Sequence, residues 1–235
     1  RPAGGNHAEI EALQGVENTQ GSTAYITLEP CSHTGKTGPC AKALVEAGVV
    51  RVVIACEDPN PQVAGEGIKL LQDAGIEVAI GLYEDQARDI NKGFFKRHEQ
   101  GTPWVLVKMA ASLDGRTAMA SGQSQWITTP AARKDVQRLR AASCAIITGI
   151  GTQLMDDPSL TVRITHEDVG VQDSLRQPLR VVVDSKLQMS PDARMFAQPG
   201  NTLVATIDAS EQREKAHALK EAGADVVFLP ALDGH

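Results

Sequence analysis

The 235 residues, 42% of them hydrophobic, are enough for one large or two small domains with a buried core, and too apolar for a disordered chain. A formal net charge of −6 and an aromatic share of 3% supply neither the basic stripe nor the stacking rings of a nucleic-acid binder, although single Arg and Lys side chains can still bind a small anion. No apolar run is long enough to cross a bilayer and no signal peptide is visible, so a cytoplasmic protein with neither membrane nor nucleic-acid partner is expected.

The first predicted element is a helix over residues 7–18. Asn6 is placed to cap it, and Glu9, at the third helical position, completes a capping box. A strand, TAYITL (23–28), runs into EPCSHTGKTGPC, a loop rich in Gly, Pro, Ser and Thr. The helix AKALVEAG, the strand VVRVVIAC, the loop EDPNPQVAG, the helix around IKLLQDAG and the strand IEVAI follow. Here, and again at LKEAGADVVFL, a helix is stopped by glycine (Gly48, Gly75, Gly223) and followed at once by an apolar strand. Glycine suits the left-handed position beyond a helix end, and such units indicate an α/β architecture with a largely parallel sheet.

The polar segment KRHEQGTP (96–103) lacks periodicity and marks a boundary, which divides the chain into domains 1–100 and 103–235. The second part reads as strand WVLVKMA, a turn at SLDGR, a helix over 130–142, strand CAIITGI, a loop GTQLMDDPSLTVR, strands RVVVDS and TLVATI, and a final helix–strand pair. THEDVGVQDSLRQP reads as a surface excursion. Of the four cysteines, Cys56 and Cys144 sit in apolar runs and are expected to be buried, inert thiols rather than halves of disulfides.

His7 and Glu9 form H-A-E at a helix start. Pro30-Cys31 leaves the first strand, and Pro39-Cys40 opens the next helix. One imidazole and two thiolates make three zinc ligands, and a catalytic site keeps the fourth position for water. The metal lowers that water's pKa towards neutrality, and Glu9, two residues from His7, is the candidate proton shuttle. Each piece alone has a plainer explanation: Glu9 as a helix cap, the cysteine pair as a structural clip. The ordered set points to a zinc deaminase acting on a small heterocycle. In the signature of nucleic-acid deaminases two residues separate the cysteines, whereas here eight, SHTGKTGP, stand between Cys31 and Cys40.

GGNHAEIEAL, TLEPCSHTGKTGPC and EDPNPQVAGEGI resemble the deaminase half of the bifunctional riboflavin-biosynthesis deaminase/reductase family, with Asn6 and Gly38 where the family usually carries proline. VKMAASLDGRTAMASGQSQWIT, LRAASCAIITGIGTQLMDDPSLTVR and QPLRVVVDS resemble its reductase half. The resemblance implies a cytidine-deaminase-like zinc domain followed by an incomplete dihydrofolate-reductase-like α/β domain. It implies zinc and NADPH as cofactors and a small pyrimidine ribosyl phosphate as substrate. The first reaction would replace the 2-amino group of 2,5-diamino-6-ribosylamino-4(3H)-pyrimidinone 5′-phosphate and release ammonia. The second would reduce the ribosyl chain to ribityl.

Carried over by position, the resemblance makes His7, Cys31 and Cys40 the zinc ligands, Glu9 the proton shuttle and His33 a substrate contact. In the second half it makes Ala110, Trp126, Thr152, Asp156 and Ser185 cofactor contacts, and Lys108, Ser124, Arg140, Leu160 and Arg163 substrate contacts. Arg140, Arg163 and Lys108 are chemically suited to a phosphate. The Gly149-Ile150-Gly151 turn lets backbone approach a phosphate but lacks the rest of a dinucleotide fingerprint. Family members begin earlier and continue further, so the chain reads as truncated at both ends, and a homo-oligomer is expected. Two alternatives stay open at this point: another zinc deaminase, or a non-catalytic fragment with a structural zinc.

Overall fold

The computed structural model describes residues 5–34, 38–170, 175–207 and 212–230. The chain forms two compact units, Arg1–Lys108 and Met109–His235. In the first, helix α1 (Ala8–Gln14) precedes strand β1 (Thr23–Ile26), then α2 (Cys40–Glu46), β2 (Arg51–Ile54), α3 (Glu66–Asp73), β3 (Glu77–Ile80), α4 (Glu84–Ile90) and α5 (Lys92–Gln100). The three strands lie in the order β1-β2-β3, all parallel, with Ala24 opposite Val52 and Val52 opposite Val78. The central strand is the apolar one, as a parallel sheet covered by helices requires. Val52 and Ile54 are fully buried, packed with Leu44 of α2 and Ile68 and Leu71 of α3.

The second unit contains α6 (Pro130–Ala142), β4 (Ala145–Gly149), α7 (Ile150–Asp156), β5 (Leu179–Val183), β6 (Thr202–Ile207), α8 (Arg213–Glu221) and β7 (Ala224–Leu229). Its sheet is again all parallel, in the order β4-β5-β6-β7. Val182, Val204, Met195 and Leu219 form the centre of its core. Thr129 caps α6 by accepting the Ala132 N–H, and Pro130 opens the helix at the position that needs no donor. Gly48, Gly75 and Gly223 all take positive φ just past a helix end, as the sequence pattern anticipates. No described helix is long and apolar enough to cross a membrane.

Several sequence expectations need correction. The cap of α1 is His7, not Asn6. The Asn6 side chain instead reaches Gln14 at 3.4 Å, and no side chain caps the helix, so the capping box does not form. The expected strand WVLVKMA is not one. Residues 103–110 carry no regular structure, and Val105, Leu106, Val107 and Met109 are exposed. An apolar run becomes a strand only with a ladder partner, and the described residues offer it none. The boundary segment is partly helical, because α5 runs to Gln100 with Phe95 buried beneath it and Gly101, at positive φ, ends it. The expected loop after β4 begins as α7, which buries Gln153 and stops at Asp157 before Pro158. Cys144, expected inside, is exposed just before the edge strand β4, whereas Cys56 is buried with its thiol on the Thr27 carbonyl. Of the predicted excursion, residues 171–174 lie outside the described residues, and Glu167–Val169 forms a short 3-10 turn.

Candidate functional site

In the first unit, α1, the loop after β1 and the start of α2 meet. His7 stands at the entrance of α1, Cys31 in the loop and Cys40 as the first residue of α2. Their ligand atoms all lie within 4.8 Å of one another. His7 Nδ1 is 3.6 Å from Cys31 Sγ and 3.2 Å from Cys40 Sγ. The Cys40 N–H donates to Cys31 Sγ at 3.3 Å, and the Ala41 N–H to the Cys31 carbonyl at 3.1 Å. Two helix-start N–H groups therefore orient the first cysteine against the second.

Zinc bonds of about 2.3 Å to sulfur and about 2.0 Å to nitrogen at tetrahedral angles set S···N edges of about 3.5 Å, which this donor set matches. The electrostatics agree. Burial pushes the Cys40 thiol well above its ordinary range, and the charges of Glu9 and then Cys31 push it further. A dication reverses that balance by stabilising the thiolate. Glu9 lies beside the Cys40 thiol, half-buried, and with the capping box unformed its carboxylate is not spent on the helix end. Glu9 is thus brought to the metal-ligand cluster. His33 is exposed in the same loop.

Asp58, which the sequence reading did not single out, belongs to the same region. Burial raises its carboxyl, the Asn60 N–H opposes this, the Glu29 charge adds to the rise, and His98 and His33 pull it down. The signal for it was present in E-D-P-N-P directly after β2.

The second unit brings some expected residues together and not others. The Arg140 guanidinium donates to the Thr161 carbonyl at 3.0 Å. The Arg163 N–H donates to Gln137 Oε1 at 3.0 Å, and the Val162 N–H to Gln177 Oε1 at 2.8 Å. Leu160, buried and at positive φ, and Arg163 therefore lie on one segment that Arg140 and Gln137 of α6 pin from the side. Burial, and next the charge of Arg163, lowers Arg140 from its ordinary range. Thr152 and Asp156 are exposed on α7, Ser185 is exposed beyond β5, and Ser124 is partly buried. The Trp126 ring is exposed beneath the Arg133 guanidinium, 4.3 Å from its centroid. Lys108, exposed, ends the first unit, and Ala110 lies just inside the second.

Comparison with known proteins follows the same division. The family model of the cytidine and deoxycytidylate deaminase zinc-binding region matches residues 1–56, and that of the RibD C-terminal domain matches residues 103–233, more than half of the chain. The chain belongs to the RibD family. It joins a cytidine-deaminase-like zinc-binding region to a RibD C-terminal domain, both built on parallel α/β sheets. The chain is 54% identical over 239 residues to the riboflavin biosynthesis protein RibD of Escherichia coli strain K12, covering 99% of this chain and 64% of that one. It superposes on Acinetobacter baumannii RibD with a TM-score of 0.84 at 46% identity, over 98% of this chain and 62% of the other. A diaminohydroxyphosphoribosylaminopyrimidine deaminase/5-amino-6-(5-phosphoribosylamino)uracil reductase from Thermotoga maritima gives a TM-score of 0.77 at 32% identity, over 96% and 67%. The chain thus spans 64% of the length of its Escherichia coli relative.

Proposed function

We propose that this RibD-family chain carries out two successive steps of riboflavin biosynthesis. Residues 1–100 would deaminate 2,5-diamino-6-ribosylamino-4(3H)-pyrimidinone 5′-phosphate, and residues 103–235 would contribute to NADPH-dependent reduction of its ribosyl chain. The observation that carries the reading is the convergence of His7, Cys31 and Cys40 with Glu9 beside them, in a chain whose relatives bear the riboflavin-pathway name.

His7, Cys31 and Cys40 would hold zinc. Bound there, zinc supplies an acidified water that is nucleophilic near neutral pH. Glu9 accepts the water's proton as the oxygen bonds to C2, then gives it to the departing amino group, so that the C–N bond breaks and ammonia leaves. His33, exposed in the same loop, would contact the substrate. In the reductase half, Ala110, Trp126, Thr152, Asp156 and Ser185 would hold NADPH, whose hydride reduces the sugar carbon. Arg140 and Arg163, assisted by Lys108, would hold the phosphate, with Ser124 and Leu160 shaping the rest of the substrate site. Neither nucleic acid nor membrane enters this scheme. A cytoplasmic homo-oligomer fits it.

Metal analysis with a turnover assay on the pyrimidine phosphate, run with and without NADPH, tests the reading. One zinc per chain, ammonia release without NADPH and NADPH oxidation only after deamination are expected. Full deamination by zinc-free protein, or zinc-loaded protein that releases no ammonia, would overturn it.

A further inference from the structure

The backbone that presents Cys31 is held by a carboxylate with no part in the proton transfer above. Glu29 follows β1 and is 3% exposed. Its Oε2 accepts the N–H groups of Asp58 at 3.2 Å and Gly65 at 3.0 Å. Its Oε1 accepts those of Gly67 at 2.9 Å and Ile68 at 3.2 Å. One side chain thereby satisfies donors from the loop after β2 and from the first turn of α3. An ionised carboxylate is suited to this because both of its oxygens only accept.

The same contact reaches the metal-ligand loop from the other side. A Cβ built on Gly67 would stand 2.0 Å from the Pro30 carbonyl oxygen, so α3 lies directly against the peptide between Glu29 and Cys31. On its far side Cys31 is held by the Cys40 and Ala41 N–H groups. Pro30-Cys31 is clamped between the starts of α3 and α2, and Glu29 closes the clamp.

We propose that Glu29 is a positioning residue of the metal centre: by gathering four N–H groups it seats Pro30 against Gly67 and so sets where Cys31 Sγ stands relative to His7 and Cys40. The proposal rests on the zinc reading of those three residues. Glu29→Gln replaces one acceptor with an amide NH2 that faces N–H groups, which opens one side of the clamp. Gly67→Ala keeps the carboxylate but places a Cβ 2.0 Å from the Pro30 carbonyl oxygen and 3.2 Å from Glu29 Oε1, so it presses on the same clamp from the α3 side and most strongly on Pro30.

Cobalt(II) binding to the full chain provides the test, because its ligand-field and thiolate charge-transfer absorption reports the geometry of the donors. The wild-type chain is expected to bind one Co2+ with a tetrahedral spectrum. Both variants are expected to keep the far-UV circular dichroism of the wild type, to show shifted ligand-field bands, and to lose about tenfold or more in metal affinity by chelator competition, the usual scale for residues that support ligands from behind. Lys42→Ala, an exposed change on α2, should leave both readouts unchanged. Folded variants with wild-type spectrum and affinity would overturn the proposal. If Glu29→Gln does not fold, the Gly67→Ala spectrum decides alone in the same sense. A wild-type chain that takes up no cobalt defeats the zinc reading itself, and this proposal with it.

Discussion

The two units hold their candidate residues by different means. In the first, His7, Cys31 and Cys40 come from three elements, yet their ligand atoms meet within 4.8 Å, and the approaches to them are tied by backbone N–H groups. In the second, Leu160 and Arg163 lie on a segment pinned by Arg140 of α6, while Trp126, Ser185 and the α7 pair Thr152 and Asp156 stand exposed at three separate places in the unit. A metal centre must be pre-set to a few tenths of an ångström, so its ligands sit at helix starts and tight turns. A surface for a phosphate and a dinucleotide can be spread over several strand ends, with a few fixed points and the ligand itself as the link.

That contrast can be broken most severely at the cysteines. Cys31→Ser or Cys40→Ser is expected to abolish stoichiometric zinc, measured by metal analysis after dialysis, and to loosen the first unit locally, because binding energy at such a site is coupled to folding. Retained zinc at wild-type stoichiometry would remove the basis of the comparison. Glu9→Gln separates metal from chemistry. Zinc should stay, while ammonia release should fall by about a hundredfold or more, the scale of losing a general acid–base. A wild-type rate would return Glu9 to a structural part.

The second unit has its own anchor, Arg180. Only 2% exposed, it donates to the carbonyls of Ser159, Gln198, Gly200 and Asn201, and burial lowers it from its ordinary range. Arg180→Met keeps the stem but strands those acceptors, and should cost about 3 kcal/mol. Hydrogen exchange at β5 and β6 should accelerate, with the zinc content of the first unit unchanged. A loss of zinc would mean that the two halves do not respond separately.

Arg140 sharpens the contrast further. Arg140→Met should raise the KM of the phosphorylated substrate about tenfold or more, the value of one charge-assisted hydrogen bond. A lower stability with an unchanged KM would make Arg140 only the anchor of Thr161.

The smallest effect is expected at Asp168, whose carboxylate lies 2.6 Å from Lys134 Nζ. The Lys134 contact, and next the Thr165 N–H, hold its pKa down to about 2, below the unfolded value of about 4. Its stabilising contribution is therefore present above about pH 4 and is lost as pH falls through about 2. Asp168→Asn should lower the thermal midpoint slightly at pH 6, and the difference should shrink steadily as pH falls from about 4 towards 2. An equal shift across that range would remove charge as the cause.

Much of both units was legible in the residue order. The helix–Gly–strand units placed β2, β3 and β7, and the ordered H-A-E, Pro-Cys, Pro-Cys set singled out the cluster at His7, Cys31 and Cys40. What misled was local plausibility. Asn6 and Glu9 satisfy the spacing of a capping box, but the chain turns one residue later and His7 becomes the cap. Trp104–Ala110 has the composition of a strand, but its fate depends on a partner that local composition cannot supply. Cys144 looked interior because its neighbours are apolar, yet it precedes an edge strand and is exposed.

By itself the sequence determined the architecture and the chemistry of the donor set, because glycine at a helix end, apolar strands and the identity of a ligand atom are properties of single residues and near neighbours. Tertiary structure alone decided that Glu29 would be buried with four N–H groups converging on it, that Gly67 would touch Pro30, and that Arg180 would serve four carbonyls at once. Those contacts join residues about twenty to forty positions apart. No local periodicity encodes them, because they exist only when the parallel sheets bring the ends of their strands to one place.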